Sequence, residues 1–156
     1  MDKRVKRYKR LIRLINFYPP YIGAGIRLKE INDDCTRLVV QMKLRWWNKN
    51  MVGTHFGGSL YSMCDPFFMF ILMVNLGENY IVWDKTGYID FKKPGKGKVT
   101  AVFSMSQDEI SAVKKRVEAD GKTIVELPCK ITDEQGETVA ELNKGIYVRL
   151  KEMSKK

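Results

Sequence analysis

Between Gly58 and Leu76 the chain reads Gly-Ser-Leu-Tyr-Ser-Met-Cys-Asp-Pro-Phe-Phe-Met-Phe-Ile-Leu-Met-Val-Asn-Leu. Wound as a helix, this run is apolar on every side. Such a helix is either enclosed by its own fold or sits in a membrane. The stretch free of charge and proline, Phe67 to Val74, is far shorter than the roughly 20 residues of a bilayer span. Residues 58–76 are therefore expected to form a central helix that the rest of the chain encloses. A local kink is expected near Asp65, because Pro66 removes a helical N–H and leaves the Ser62 carbonyl without its usual partner.

The remaining sequence supplies a sheet to do the enclosing. Residues 25–32 and 36–45 read as strands joined by a turn at Asn32-Asp33-Asp34. After the apolar helix come a strand from Tyr80 to Lys92, a turn at Pro94-Gly95-Lys96-Gly97 and a strand from Lys98 to Ser106. Thr123–Thr132 and Glu137–Leu150 form a hairpin through Asp133-Glu134-Gln135-Gly136. Asp108 to Ala119 carries a weak helical pattern and reads as a helix or an extended connection. This order predicts an α+β fold, a curved antiparallel sheet wrapped around one helix. At 156 residues the chain fits a single domain over 1–156. Residues 1–18 read as a basic amphipathic helix with Tyr8, Leu11, Leu14 and Ile15 at helical spacing, stopped by Pro19-Pro20. It suits a surface helix packed on the domain, or one touching an anionic membrane or a partner.

The net charge is +10, and seven cations (Lys3, Arg4, Lys6, Arg7, Lys9, Arg10 and Arg13) crowd the first helix. No nucleic-acid motif accompanies them, so no nucleic-acid partner is expected. A basic surface also suits a ligand that carries phosphates. The N-terminal segment lacks the uninterrupted apolar core of a secretion signal. The three cysteines, Cys35, Cys64 and Cys129, are scattered, without a CxxC or Cys/His cluster. A structural zinc site is not expected, and a reducing, cytoplasmic setting is.

The segment Gly53-Thr54-His55-Phe56-Gly57-Gly58-Ser59-Leu60-Tyr61 leads into the central helix. Gly57-Gly58 at a helix start permits close approach, and its N–H groups can face an anion or a polarised carbonyl oxygen. The pair equally suits a tight loop with unusual dihedrals. Asp65, on an otherwise apolar helix, needs a structural partner or a function to offset burial. Desolvation would raise its pKa and suit it to act as a base or nucleophile. Asp84 and Lys85, in an otherwise apolar strand start, read as structural, each pairing with neighbours of the other. Lys92, Lys93, Lys96 and Lys98 form a solvated basic turn or meet phosphates. Trp46 and Trp47 line a pocket or pack in a core or interface.

The pattern Asn50-x-x-Gly53-x-x-Phe56-Gly57-Gly58, followed seven residues later by Asp65, resembles the hotdog-fold thioesterases, particularly the phenylacetyl-CoA thioesterase type. Across most of the chain the sequence is still more similar to an uncharacterised bacterial hotdog family regarded as thioesterases. The residues that carry this are Gly53 to Tyr61, Asp65-Pro66 and Tyr80-Ile81-Val82-Trp83-Asp84-Lys85. The resemblance implies hydrolysis of a coenzyme A or acyl-carrier thioester, with no metal or redox cofactor. It makes Asp65 the base or attacking carboxylate, gives Gly57 or Gly58 the thioester oxygen, and has Asn50 position substrate or water. Thr54, His55, Phe56, Ser59, Tyr61 and Lys93 are the expected substrate contacts. It also implies a homodimer or tetramer, since acid and glycine turn usually come from different subunits. One departure stands out: Phe56 holds the place of the family's histidine, and the only histidine, His55, precedes it by one. That departure favours the alternative of a non-catalytic acyl-thioester binder, and it weakens a dehydratase reading. A membrane-peripheral role rests on the basic N-terminal helix alone.

Overall fold

A computed structural model of the chain describes residues 3–151. Met1 and Asp2, with which the basic N-terminal segment begins, and residues 152–156 lie outside the described residues. Alternating side chains build six strands: β1 (Ile26–Ile31), β2 (Arg37–Lys43), β3 (Tyr80–Phe91), β4 (Lys98–Ser104), β5 (Lys122–Thr132) and β6 (Thr138–Leu150). They form one sheet in the order β1-β2-β4-β5-β6-β3, each pair antiparallel. The inward set of β6, Ala140, Leu142, Lys144, Ile146 and Val148, is buried throughout. Strand β3 lies at one sheet edge.

The apolar segment is not one unbroken helix. It divides into α3 (Gly57–Ser62) and α4 (Phe67–Leu76), with a cis Asp65–Pro66 peptide bond in the interruption. The kink expected at Pro66 is thus a full break, because proline brings no N–H to continue the ladder. The freed Ser62 carbonyl does not go unpaired: it accepts the Tyr21 hydroxyl at 3.2 Å. Gly57–Leu76 together spans 20 residues of mean hydropathy 1.4, which is long and apolar enough to cross a membrane, yet half of it is buried inside the fold. Phe67, Ile71, Leu72 and Val74 of α4 are fully buried. Phe67 packs on Phe103 of β4 with ring centroids 5.1 Å apart. Each such side chain contributes roughly 1.5–3 kcal/mol by leaving water.

The N-terminal segment is α1 (Lys3–Arg13), a short 3-10 turn (Leu14–Phe17) and α2 (Pro19–Ala24). The two prolines open α2 rather than stop a helix, since the first helical position needs no N–H. The packed stripe of α1 also differs from the expected one. Val5, Tyr8, Ile12 and Ile15 face the core, while Leu11 and Leu14 are half exposed. Arg4 donates to the Val74 carbonyl in the last turn of α4, where the helix dipole favours a cation.

Asp108 to Ala119, whose weak periodicity allows a helix or an extended connection, lies within a helix, α5 (Gln107–Asp120). Ser106 and Glu109 make a reciprocal capping box at its start, and Gly121 ends it in the left-handed region.

Candidate active site

The strand alternation that buries β6 carries Lys144 inward with it, and the side chain is only 2% exposed. A buried ammonium needs opposite charge close by. Its Nζ lies 3.0 Å from Asp84 Oδ1 and 3.4 Å from Asp65 Oδ2, and 5.2 Å from the Tyr61 ring centroid. Only the Asp65 contact has hydrogen-bond alignment; the Asp84 contact is an ion pair, with Oδ1 otherwise unpartnered. Asp84 comes from β3, where the ladder to β6 slips between Asp84 and Thr86. Asp65 comes from the break between α3 and α4.

Asp65 was expected to be buried. Its side chain is 43% exposed, because the helix break turns it out of the core. The buried charge is Lys144, which sequence reasoning missed. Burial opposes the Lys144 charge, yet the attraction of Asp65, followed by that of the nearby Asp84 carboxylate, leaves its pKa above the ordinary lysine value. Burial raises the Asp84 pKa, and the Asp65 charge raises it further against the pull of Lys144. Tyr21 completes the cluster by donating to the Asp65 backbone carbonyl. Burial first, then the Asp65 charge, pushes its phenol pKa well up.

The glycine pair opens α3, at the end of that helix away from Asp65. Neither Gly57 nor Gly58 has a positive φ, so unusual dihedrals do not explain the pair. Space does. A Cβ on Gly58 would meet the Phe56 ring at 2.4 Å, and one on Gly57 would meet the Phe91 ring at 3.0 Å. Among the described residues neither glycine N–H has an acceptor; the first helical bond is donated by Ser59 to the Phe56 carbonyl.

The loop before the turn is braced by Asn50. Its Oδ1 accepts from the N–H groups of Val52 (3.1 Å) and Thr54 (2.9 Å), and its amide donates to Thr54 Oγ1 (2.9 Å) and the His55 carbonyl (3.3 Å). His55 is 3% exposed and clasps the turn before β4. Its N–H donates to Gly95 O at 2.9 Å and its Nε2 to Gly97 O at 3.1 Å. The carbonyl can only accept, so Nε2 holds the proton and the buried Nδ1 has no partner among the described residues. Burial lowers the His55 pKa, opposed by the Gly97 bond. Lys93 lies 2.6 Å from Asp133 and also contacts Glu137, and Lys92 pairs with Asp90 at 2.5 Å and Glu141 at 3.4 Å.

The expected site residues thus fall on three hollows. Asn50, Thr54, His55, Gly57 and Lys93 line one of about 370 Å³, which Phe91 also walls. Phe56, Gly58 and Ser59 line a second of about 470 Å³, shared with Trp47. Asp65 and Tyr61 line a third of about 550 Å³, with Tyr18, Tyr21, Pro66 and Phe70. Within one chain the acid and the Gly57 N–H do not share a hollow.

Known proteins share this architecture. A Pseudomonas aeruginosa protein of unknown function, named "Probable Thioesterase", is similar over 92% of this chain and 96% of its own, with TM-score 0.79 and 20% identity. The PaaI protein of the Escherichia coli phenylacetic acid degradation operon is similar over 95% and 94%, with TM-score 0.63 and 18% identity. Thioesterase superfamily member 2 of Mus musculus is similar over 94% and 98%, with TM-score 0.62 and 16% identity. At such identities the likeness establishes a shared fold alone, the hotdog fold. No curated protein sequence matches the chain. A family model described as a domain of unknown function, DUF4442, matches residues 8–148. With that match over nearly its whole length and a hotdog fold beneath it, the chain belongs to the DUF4442 family.

Proposed function

We propose that this protein hydrolyses acyl thioesters of coenzyme A. The observation that carries this reading is the half-exposed Asp65 carboxylate, held by the buried Lys144, at the edge of an aromatic-walled hollow of about 550 Å³. Asp65 takes a proton from a water molecule as the water oxygen attacks the thioester carbonyl carbon. The carbonyl oxygen gathers negative charge, and N–H donors of the Gly57-Gly58 turn receive it. The C–S bond then breaks, the leaving sulfur takes the proton held by Asp65 and departs as the thiol, and the acid product releases its proton to solvent and remains as a carboxylate. Asn50 and His55 serve by shaping the loop that presents the turn, since their bonds are spent within it.

Because acid and Gly57 line different hollows, the working site pairs Asp65 of one copy with the turn of another. The edge strand β3 offers such a second copy an unpaired ladder. Three buried free thiols support a reducing, cytoplasmic setting.

The Phe56 ring lying over Gly58 favours a second reading, an acyl-thioester binder without turnover. Thiol release from short, medium, long and aromatic acyl-CoA esters separates the two. Turnover in the wild type that falls about 100-fold or more in Asp65→Asn, with the fold intact, supports the hydrolase. Saturable acyl-CoA binding without any turnover overturns it and leaves the binder.

A further inference from the structure

The outer face of β1, β2 and β4 carries a group of cations, most of them without a carboxylate partner among the described residues. Register places Lys43 directly opposite Lys98, and Arg27 opposite Gln41, which in turn faces Thr100. Like charges directly opposite on antiparallel strands are destabilising. Arg27, Lys29, Lys43, Arg45 and Lys98 line one hollow of about 430 Å³ that no carboxylate lines. Among the described residues Lys98 alone of these has an acidic neighbour, Glu134 at 3.5 Å. At the other end of the same strands the charges are balanced, with Arg37 3.1 Å from Glu30. In the basic turn itself, Lys92 and Lys93 each have two carboxylate partners.

Trp47 forms part of the wall, half exposed, with the Arg45 guanidinium 5.7 Å from its ring centroid. A concave surface of unbalanced cations with an aromatic face suits a ligand bearing several phosphate charges and a flat base. Trp47 also lines the neighbouring hollow that holds Phe56, Gly58 and Ser59. One wall therefore runs from the cations to the glycine turn. Resting on the thioesterase reading, we propose that the nucleotide end of a coenzyme A thioester docks among Arg27, Lys29, Lys43, Arg45 and Lys98, with its base against Trp47 and its arm passing Trp47 toward Gly58. An acyl carrier protein would present a broad acidic surface and no free nucleotide, and the concavity favours the nucleotide.

The test uses the full chain, with Lys29→Ala/Lys43→Ala and the charge-reversed Lys29→Glu/Lys43→Glu. Calorimetric titration with coenzyme A should show affinity about tenfold or more weaker in the alanine variant and weaker still in the reversed one. The ratio of kcat/KM for an acyl-CoA to that for the same acyl group on N-acetylcysteamine, which has no nucleotide, should fall about tenfold, mostly through KM. Equal coenzyme A affinity in wild type and both variants overturns the proposal. So does a defect seen only with acyl-carrier-protein thioesters, or only in pelleting with phosphatidylglycerol vesicles. If the wild type hydrolyses no thioester, the proposed function fails, while the titration with coenzyme A still decides this site.

Discussion

Lys144 takes a full positive charge into the core side of β6, and the two carboxylates around it do not share the task equally. Asp84 is 17% exposed and Asp65 43% exposed, so water screens the second far more. Removing one partner of a buried pair leaves an uncompensated charge, whereas removing both charges together is often neutral. Lys144→Met should therefore cost roughly 3 kcal/mol in urea unfolding, and Lys144→Met/Asp84→Asn should recover most of that loss. Additive losses in the two single variants and the double would show that the pair is not coupled. The pH dependence has a fixed sign. The Lys144 pKa is raised from 10.5 in the folded state, so its stabilisation is complete below 10.5 and is lost as pH rises through the folded value. The stability difference between wild type and Lys144→Met should shrink over that alkaline window. This residue was open to a reader of the sequence: counting by twos from Ala140 through Leu142 to Ile146 and Val148 lands on Lys144. Asp65 misled for the opposite reason. A helical pattern assumes an unbroken helix, and only the break at Pro66 turns the carboxylate outward.

Elements were legible where local chemistry decides them and obscure where packing does. The strand borders followed alternation and turn residues to within a few positions. Helix α5 was ambiguous by periodicity, although Ser106 and Glu109 at capping-box spacing already marked its start. The prolines at 19 and 20 read as a stop, yet the same missing N–H that stops one helix suits the first turn of the next, and they open α2. What no local pattern revealed is the way elements brace one another across long separations. His55 ties the loop before α3 to the turn before β4, forty-two residues along the chain. Its pKa is lowered from 6.5 by burial, so the stability it contributes is present above pH 6.5 and is lost as pH falls through the folded value. As the only histidine in the chain, it makes that window readable. The difference in stability between wild type and His55→Gln should narrow on acidification below pH 6.5. A constant difference from pH 7.5 to 5 would show that folding does not shift the imidazole pKa. Tyr21 makes the matching brace for the break between α3 and α4, donating to the carbonyls of both Ser62 and Asp65. Tyr21→Phe should cost about 1–3 kcal/mol and slow thioester turnover without removing any proposed reacting group. Unchanged stability would show that water replaces the hydroxyl.

At the scale of the whole molecule, the proposed reaction asks for something one chain does not hold. Asp65 opens to the hollow beside Tyr21 and Tyr61, whereas Gly57 opens to the one beside Asn50 and Phe91. A symmetric dimer would supply each acid with the glycine turn of its neighbour, twice over. That geometry makes a prediction no single-chain site shares. Asp65→Asn removes the acid and leaves the turn. Gly57→Val fills the turn, where even a Cβ lies 3.0 Å from the Phe91 ring, and leaves the acid. Each variant alone should be nearly inactive. Unfolded and refolded together in equal amounts, they should give mixed dimers in about half the population, each with one intact site out of two. Activity should then return to about a quarter of the wild-type value per chain. If acid and turn work within one chain, every site in the mixture carries one lesion and nothing returns. Recovery that requires co-refolding, and does not follow simple addition of the two folded variants, would locate the reacting site between copies.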